Sequence, residues 1–302
     1  MHIAVLGNPG SWYCRELERA ARERGHWFSR VDFCRLTARI GGGAPLAGSG
    51  VPLAETDAVI VRTMPPGSLE QVVFRMDALA RLEAAGVTVL NPPKAIECAV
   101  DKYLTTAKLA AAGLAVPETV VCEDSESALA AFEELGRDVV VKPIFGSEGR
   151  GILRVCDPDL ALRTFRTLER IQAVLYLQRY VEHEGFDVRV LLLDGRVLGG
   201  IRRHGNGDFR TNLSRNGTAS AHEVTDEERA WALRAAEATG ARFAGVDLLY
   251  DRAGNRYVIE VNAVPGWRGF QKVTRIDVAG MVIAHLVGER GASAPRSPNE
   301  TR

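Results

Sequence analysis

One lysine constrains this chain more than any other residue. The stretch "VVVKPIFGSEGRGI", Val139 to Ile152, sets Lys142 behind three valines and follows it with Gly146, Gly149 and Gly151. An ammonium in an apolar strand is costly unless an anionic partner meets it. The loop is not a Walker A loop, because no GK[ST] follows, and it is not a dinucleotide fingerprint, which lies between a strand and a helix. Its flanks, "DVVVKPI" and "GILRV", both read as strands. A glycine-rich loop between two strands lets backbone N–H groups approach anionic oxygens closely. A flexible hairpin turn is the plainer alternative.

A second constellation lies in "FAGVDLLYDRAGNRYVIEVNAVPG", Phe243 to Gly266. It reads as a β-hairpin turning near Ala253–Gly254. With a two-residue turn, Tyr250 pairs with Tyr257 and Asp247 lies opposite Glu260. Asn262 shares the Glu260 face of its strand, two residues on. Like charges directly opposed destabilise a sheet, so something should neutralise this pair. The donors are all hard oxygens, which suit Mg²⁺ or Mn²⁺ bound together with substrate phosphates. The plainer alternative is an exposed acidic hairpin end.

A third stretch, "FDVRVLLLDGRVLGGIRRHG", carries Asp194-Gly195, a two-residue hairpin signal. That register puts Asp187 opposite Arg202, with Arg189 on the Asp187 face. The pattern fits a cross-strand ion pair or an arginine fork facing phosphoryl oxygens. The polar run "NGDFRTNLSRNGTAS" that follows is long enough to be a binding loop.

The rest of the chain frames these pieces. Residues 1–90 alternate strand and helix. "HIAVLG", "DAVIVR" and "VTVL" read as strands, "SWYCRELERAARERG" as a helix capped by Ser11 and stopped by Gly25, and "SLEQVVFRMDALARLEAAG" as another helix. That alternation predicts a small parallel α/β layer, and "GGGAPLAGSGVP" (Gly41–Pro52) a surface loop. After Asn91–Pro93 come helices around Ala95–Cys98 and Asp101–Ala112, then strand pairs with interspersed helices, an α+β pattern. The expected divisions are 1–92 (α/β), 93–180 (α+β, with the glycine-rich flap), 181–288 (α+β, with the metal site) and a disordered tail at 289–302. Thirty-eight basic residues balance thirty-eight acidic ones, which disfavours generic polyanion or nucleic-acid binding. Five scattered cysteines without a CxxC pair read as reduced thiols. With no signal-like or membrane-length apolar run, a cytoplasmic protein is expected.

In this order, these motifs resemble the ATP-grasp superfamily, and specifically its RimK-type α-L-glutamate ligases. The resemblance runs from about residue 95 to 280, through "DKYLTTAKLAAAGLAVPET", "VVVKPIFGSEGRGI", "QRYVEHEGFDVRVLLLDGRVLGGIRR", "GDFRTNLSRNGTAS" and "FAGVDLLYDRAGNRYVIEVNAVPGWRGFQKVTRIDVAG". It implies an ATP-grasp fold, an N-terminal parallel α/β domain followed by two α+β subdomains that grip ATP. Lys102 and Lys142 match phosphate-binding lysines, with Lys142 also catalytic. Gly146, Ser147, Glu148, Gly149 and Gly151 match the flap over the phosphates. Gln178, Arg179, Tyr180 and Val181 match the hinge whose backbone holds adenine, while Asp187, Arg210, Thr211 and Asn212 match other nucleotide contacts. Arg202 matches the arginine near the transferred phosphoryl group. Asp247, Glu260 and Asn262 match ligands of two Mg²⁺ or Mn²⁺ ions. Gln178 stands where relatives often carry an acid, and "SRNG" where many carry a double glycine.

The resemblance implies an ATP-dependent ligase. An acceptor carboxylate takes the γ-phosphate, and the amine of L-glutamate attacks the acyl phosphate, forming an amide and releasing ADP and phosphate. A basic, aromatic-bearing acceptor loop (Arg215, Trp267, Arg268) suits a polyacidic or ring-bearing acceptor such as a pterin or deazaflavin coenzyme. The alternatives are the C-terminus of a ribosomal or carrier protein as acceptor, or a non-catalytic ATP-binding regulatory module. Relatives commonly assemble, so a homo-oligomer is expected.

Overall fold

The computed structural model describes residues 1–42, 45–146, 149–205, 209, 211 and 217–288. Two compact units emerge, one of Met1–Leu90 with the segment from Arg275 onward, the other of Asn91–Thr274. No described helix is long and apolar enough to cross a membrane.

In the first unit, β1 (His2–Leu6), α1 (Trp12–Glu23), β2 (Trp27–Val31), β3 (Leu36–Ala38), β4 (Leu46–Gly48), β5 (Val51–Pro52), β6 (Ala58–Val61), α2 (Leu69–Ala84) and β7 (Thr88–Leu90) follow in turn. A parallel sheet forms in the order β2-β1-β6-β7. Ile3, Ala4, Val5 and Leu6 are wholly buried, as expected of central parallel strands covered on both faces. Ser11 caps α1, and Ser68 with Gln71 forms a reciprocal capping box on α2, so both helices start where their caps lie. Strand β2 escaped the sequence reading because it is an edge strand. Its Trp27 and Arg30 are exposed, so it lacks the continuous apolar run of β1. The described part of Gly41–Pro52 is also more ordered than a surface loop, since β4 and β5 lie in it and pair with β3 as a small antiparallel sheet.

The second unit begins with α3 (Pro93–Val100) and α4 (Lys102–Ala111), the latter capped by Asp101. Then come β8 (Thr119–Cys122), α5 (Ser125–Glu134), β9 (Val139–Lys142), β10 (Leu153–Val155), α6 (Pro158–Arg170) and β11 (Leu175–Arg179). Their sheet has the order β10-β9-β11-β8, and α5 and α6 pack against it through Phe132 and Phe165. The glycine-rich loop connects β9 and β10, which pair antiparallel as the flanking sequences predicted.

A second sheet follows, built from β12 (Phe186–Leu193), β13 (Arg196–His204), β14 (Thr218–His222), β15 (Phe243–Tyr250) and β16 (Arg256–Asn262) in the order β14-β13-β12-β15-β16. α7 (Asp226–Thr239) interrupts the strands and α8 (Arg268–Thr274) closes the unit. The last helix, α9 (Val278–Leu286), packs on α1 within the first unit, with Arg19 paired to Asp277 at 2.7 Å. The predicted disordered tail, 289–302, lies outside the described residues.

Two register details matter for the site. The β15–β16 connection is longer than two residues, and Tyr250 pairs with Arg256 rather than Tyr257. The Asp251 carboxylate holds this connection by accepting from the N–H groups of Ala253 and Asn255. A β-bulge between Asp247 and Leu248 then adds one residue on β16 and restores Asp247 opposite Glu260. In β12–β13 the Asp194-Gly195 turn forms as predicted, but a bulge between Leu191 and Leu192 shifts the later pairs. Asp187 therefore lies opposite Arg203, and Arg202 opposite Val188.

Asn91, at the head of the second unit, fastens the far ends of β15 and β16. Its amide donates to the carbonyls of Phe243 and Ala263, and its oxygen accepts from the N–H groups of Arg242 and Phe243 at 2.7 and 2.8 Å. Replacing Asn91 by Ala leaves these backbone groups buried without partners, at a cost of about 1–3 kcal/mol for each group not rehydrated. We expect Asn91→Ala to lower the urea midpoint of this unit markedly, read by near-ultraviolet circular dichroism, while Leu69→Ala on the exposed face of α2 leaves it in place.

Candidate active site

The two sheets of the second unit face one cleft, lined among others by Lys102, Lys142, Gly146, Gly149, Asp247 and Glu260. β9 delivers Lys142 from one side, because a strand alternates its side chains and this one turns away from the core made by Val139 and Val141. Lys102 arrives from the first turn of α4, beside its Asp101 cap.

Lys142 is buried, and its partner there is an amide. Its Nζ donates to Gln178 Oε1 at 2.6 Å; Gln178 Nε2 in turn donates to Thr119 Oγ1 and to Tyr176 Oη, which bonds Thr106. Burial lowers the Lys142 pKa to about 8; Glu260 opposes that shift and Lys102 adds to it. Burial also lowers the pKa of Lys102, opposed by Glu260 and Asp101. Lys102 Nζ donates to the Gly146 carbonyl at 2.9 Å, tying the loop to α4. Gly149 and Gly151 take left-handed backbone at φ 69° and 72°, the conformation glycine adopts without steric cost. Ser147 and Glu148 lie outside the described residues.

Opposite the lysines, the carboxylates are paired more elaborately than the sequence suggested. Asp247 meets Arg189 through two hydrogen bonds of 2.6 Å and Arg203 at 2.9 Å. Arg203 also forks onto Asp187, which accepts from Thr211 Oγ1 at 2.6 Å. Burial raises the Asp247 pKa, but Arg189 and Arg203 outweigh it and hold the carboxyl below its ordinary value. Burial works against the charge of Arg203 as well, yet Asp187 and Asp247 prevail and push its pKa up. Thus Asp187, Thr211, Asp247 and Glu260 come together as expected, and Asn262 follows on the Glu260 face of β16. Arg210 and Asn212 lie outside the described residues.

Arg202 requires correction. The β13 bulge turns it to the other face of the sheet, where its guanidinium sits 4.4 Å from the centre of the Phe186 ring, and Arg203 takes the cleft side. Trp267 is corrected too. It is wholly buried against Phe243, with ring centres 5.5 Å apart, so it is a core residue rather than part of an acceptor loop. Arg268 opens α8 on the surface, and Arg215 lies outside the described residues. Sequence reasoning also missed Arg189 and Arg203 as partners of Asp247. The signal was the need to neutralise Asp247 against Glu260, but a metal answered it first.

At the hinge, Gln178, Arg179, Tyr180 and Val181 all line the cleft. The N–H groups of Arg179 and Tyr180 donate to the carbonyls of Glu118 and Asp138. Arg154, itself forked onto Asp138, covers the Tyr180 ring at 3.5 Å.

The residues suit a hard divalent cation in kind. They offer two carboxylates and the oxygen of one amide, all hard donors. They do not complete a site alone, since no group of three or more His, Cys, Asp or Glu gathers as a metal cage among the described residues. Mg²⁺ accepts such a site when substrate phosphates and water supply the remaining oxygens.

A cleft with lysines on one sheet and carboxylates on the other, a glycine-rich strand–loop–strand above it, and a parallel α/β layer before it agree with the comparisons. Residues 99–286 match the RimK-like ATP-grasp domain and residues 1–96 the RimK PreATP-grasp domain. The chain belongs to the RimK-like ATP-grasp family. It is therefore an ATP-dependent ligase. Among RimK-like relatives, the tetrahydromethanopterin:alpha-L-glutamate ligase of Methanosarcina acetivorans is 34% identical, over 93% of this chain and 97% of that protein. A probable alpha-L-glutamate ligase of Klebsiella pneumoniae is 35% identical over 95% of both. The solved structure of the ATP-grasp ligase PsnB with a minimal precursor, Mg and ADP superposes with a TM-score of 0.74 at 26% identity, covering 95% of this chain and 96% of that one.

Because its pKa is lowered to about 8, Lys142 is charged at neutral pH and loses its proton as pH rises through 8. A phosphate group favours the charged form, so affinity for a non-hydrolysable ATP analogue should hold steady to about pH 7.5 and fall towards tenfold per pH unit above 8. Calorimetric titration across pH 6.5–9.5 reads this slope, and Lys142→Met should flatten it.

Proposed function

We propose that this RimK-like ligase adds L-glutamate to an acceptor carboxylate through an acyl phosphate. The observation that carries the reading is the cleft itself, where Lys102 and Lys142 on one wall face Asp247 and Glu260 on the other. The lysines suit nucleotide phosphates, and the glycine-rich loop, held by Lys102 at Gly146, suits a cover over them. At the hinge, the engaged N–H groups of Arg179 and Tyr180 leave the adenine edge to Val181 and the hinge carbonyls. Asp187, which accepts from both Thr211 and Arg203, shapes the nucleotide side together with Thr211.

Asp247, Glu260 and Asn262 would hold Mg²⁺ or Mn²⁺, which offsets charge on the phosphates when bound. Lys142 stabilises the transferring phosphoryl group. Arg203, in place of Arg202, is the arginine on the cleft face beside Asp247, where its charge, with the fork held by Asp187, offsets that of the transferring phosphoryl group. The glutamate amine then displaces phosphate from the acyl group. Excluding water from the acyl phosphate falls to the Gly146–Gly151 loop.

For the acceptor, the methanopterin-specific name of a relative covering nearly the full length of this chain favours a small coenzyme bearing a glutamyl tail. PsnB, solved with a precursor peptide, keeps a peptide acceptor as the second reading. Homo-oligomeric assembly and a cytoplasmic setting belong to the same reading by family.

The decisive experiment incubates the chain with ATP, Mg²⁺, L-glutamate and, separately, a pterin coenzyme, a deazaflavin coenzyme and an acidic peptide, following phosphate release and acceptor mass. One acceptor should gain a glutamyl unit, and Glu260→Gln should slow that gain by about a hundredfold or more, the scale of removing one electrostatic stabiliser. Glutamate-independent phosphate release with no acceptor changing mass would count against glutamate ligation.

A further inference from the structure

Asp247 is expected to receive a cation, yet both of its carboxylate oxygens are already held by cations of the protein. Arg189 approaches from β12, directly across the sheet from Asp247, and grips one oxygen through Nε and the other through Nη2, each at 2.6 Å. Arg203 reaches the second oxygen at 2.9 Å while remaining forked onto Asp187. The Arg203 and Asp247 side chains are each 4% exposed and that of Arg189 is 14% exposed, so water screens these pairs little. Gly245 contributes the clearance. A Cβ there would stand 3.2 Å from Pro265, a tight contact, and 3.5 Å from both Cδ and Nε of Arg189, an ordinary one, so the arm that reaches Asp247 runs in van der Waals range of this position.

The charges at this end of the cleft bear on what binds next. Lys102, Lys142, Arg189 and Arg203 meet Asp101, Asp187, Asp247 and Glu260, four cations against four anions. A bare divalent ion would enter a region with no surplus of negative charge and would compete with a bidentate guanidinium for its carboxylate. The triphosphate of ATP tips that balance and supplies the oxygens that two carboxylates and an amide lack.

Building on the ligase reading, we propose that Arg189 is a positioning residue that acts as an arginine latch on Asp247: it occupies the carboxylate in the nucleotide-free protein and makes metal uptake conditional on nucleotide. Arg203, tethered by Asp187, is the second hold on the same carboxylate and stays beside the phosphates when Asp247 turns to the metal. The device keeps free divalent ions out of a half-made site and couples the two ligands in the thermodynamic sense, each raising the affinity of the other.

The test counts bound Mn²⁺ on the full chain from the loss of the free-ion electron paramagnetic resonance signal, with and without a non-hydrolysable ATP analogue. Wild type should bind Mn²⁺ alone at least about tenfold more weakly than with the analogue. Arg189→Met should tighten binding of Mn²⁺ alone by about tenfold, the scale on which neighbours of metal ligands tune affinity, and so shrink the nucleotide dependence. Arg189→Lys, which keeps the charge and loses the fork, should fall between the two. Equal uptake by wild type with and without the analogue overturns the latch. So does an Arg189→Met that binds Mn²⁺ alone no better than wild type, or less well. If Arg189→Met loses its cooperative melt, Arg189→Lys decides, and no gain over wild type overturns the proposal. Failure of the analogue to bind wild type at any metal concentration has a different meaning, because it removes the nucleotide site itself and the ligase reading with the latch.

Discussion

Burying charge is the constraint on which this site depends. The five-stranded sheet carries Asp187, Arg189, Arg203, Asp247 and Glu260 on one face, four of them in a continuous run of charge-assisted hydrogen bonds. An ion pair of this kind is not a large source of stability, since desolvation consumes most of the Coulombic gain. Losing one member, however, leaves an uncompensated buried charge, which is strongly destabilising. The network therefore fixes geometry more than it adds free energy, and the geometry it fixes is that of the carboxylate expected to meet a metal.

The facing sheet solves the same problem differently. Lys142 is buried with an amide as its hydrogen-bond partner and feels Glu260 only at a distance. A carboxylate at position 178 would neutralise the ammonium. The amide instead orients it through the Thr119, Tyr176 and Thr106 relay and leaves its charge available for an anionic ligand. One wall of the cleft is thus self-compensated and the other is poised for phosphate, as a nucleotide-dependent ligase requires.

Much of this was legible before any coordinates. The Ser11 cap of α1, the paired strands around the glycine-rich loop and the opposition of Asp247 and Glu260 all follow from residue types and spacing. What misled was uniform counting along a hairpin. In β15–β16 a longer connection and a bulge offset one another, so the predicted pair survived although Tyr250 pairs with Arg256. In β12–β13 a correct turn was followed by an unforeseen bulge, so every later pair moved by one residue and Arg202 changed faces with Arg203. Trp267 was misread for a related reason, because a tryptophan beside an arginine in a loop-like stretch carries no local mark of burial.

The sequence by itself determined the kinds of groups available, which are hard oxygens on one hairpin, lysines on a strand and a helix start, and glycines between strands. It determined the family as well, because several such motifs in one order are far more specific than any of them alone. The tertiary structure decided which arginine meets which carboxylate. That choice rests on bulges and on the packing of strands distant in sequence, and a side-chain period of two carries no record of an inserted residue.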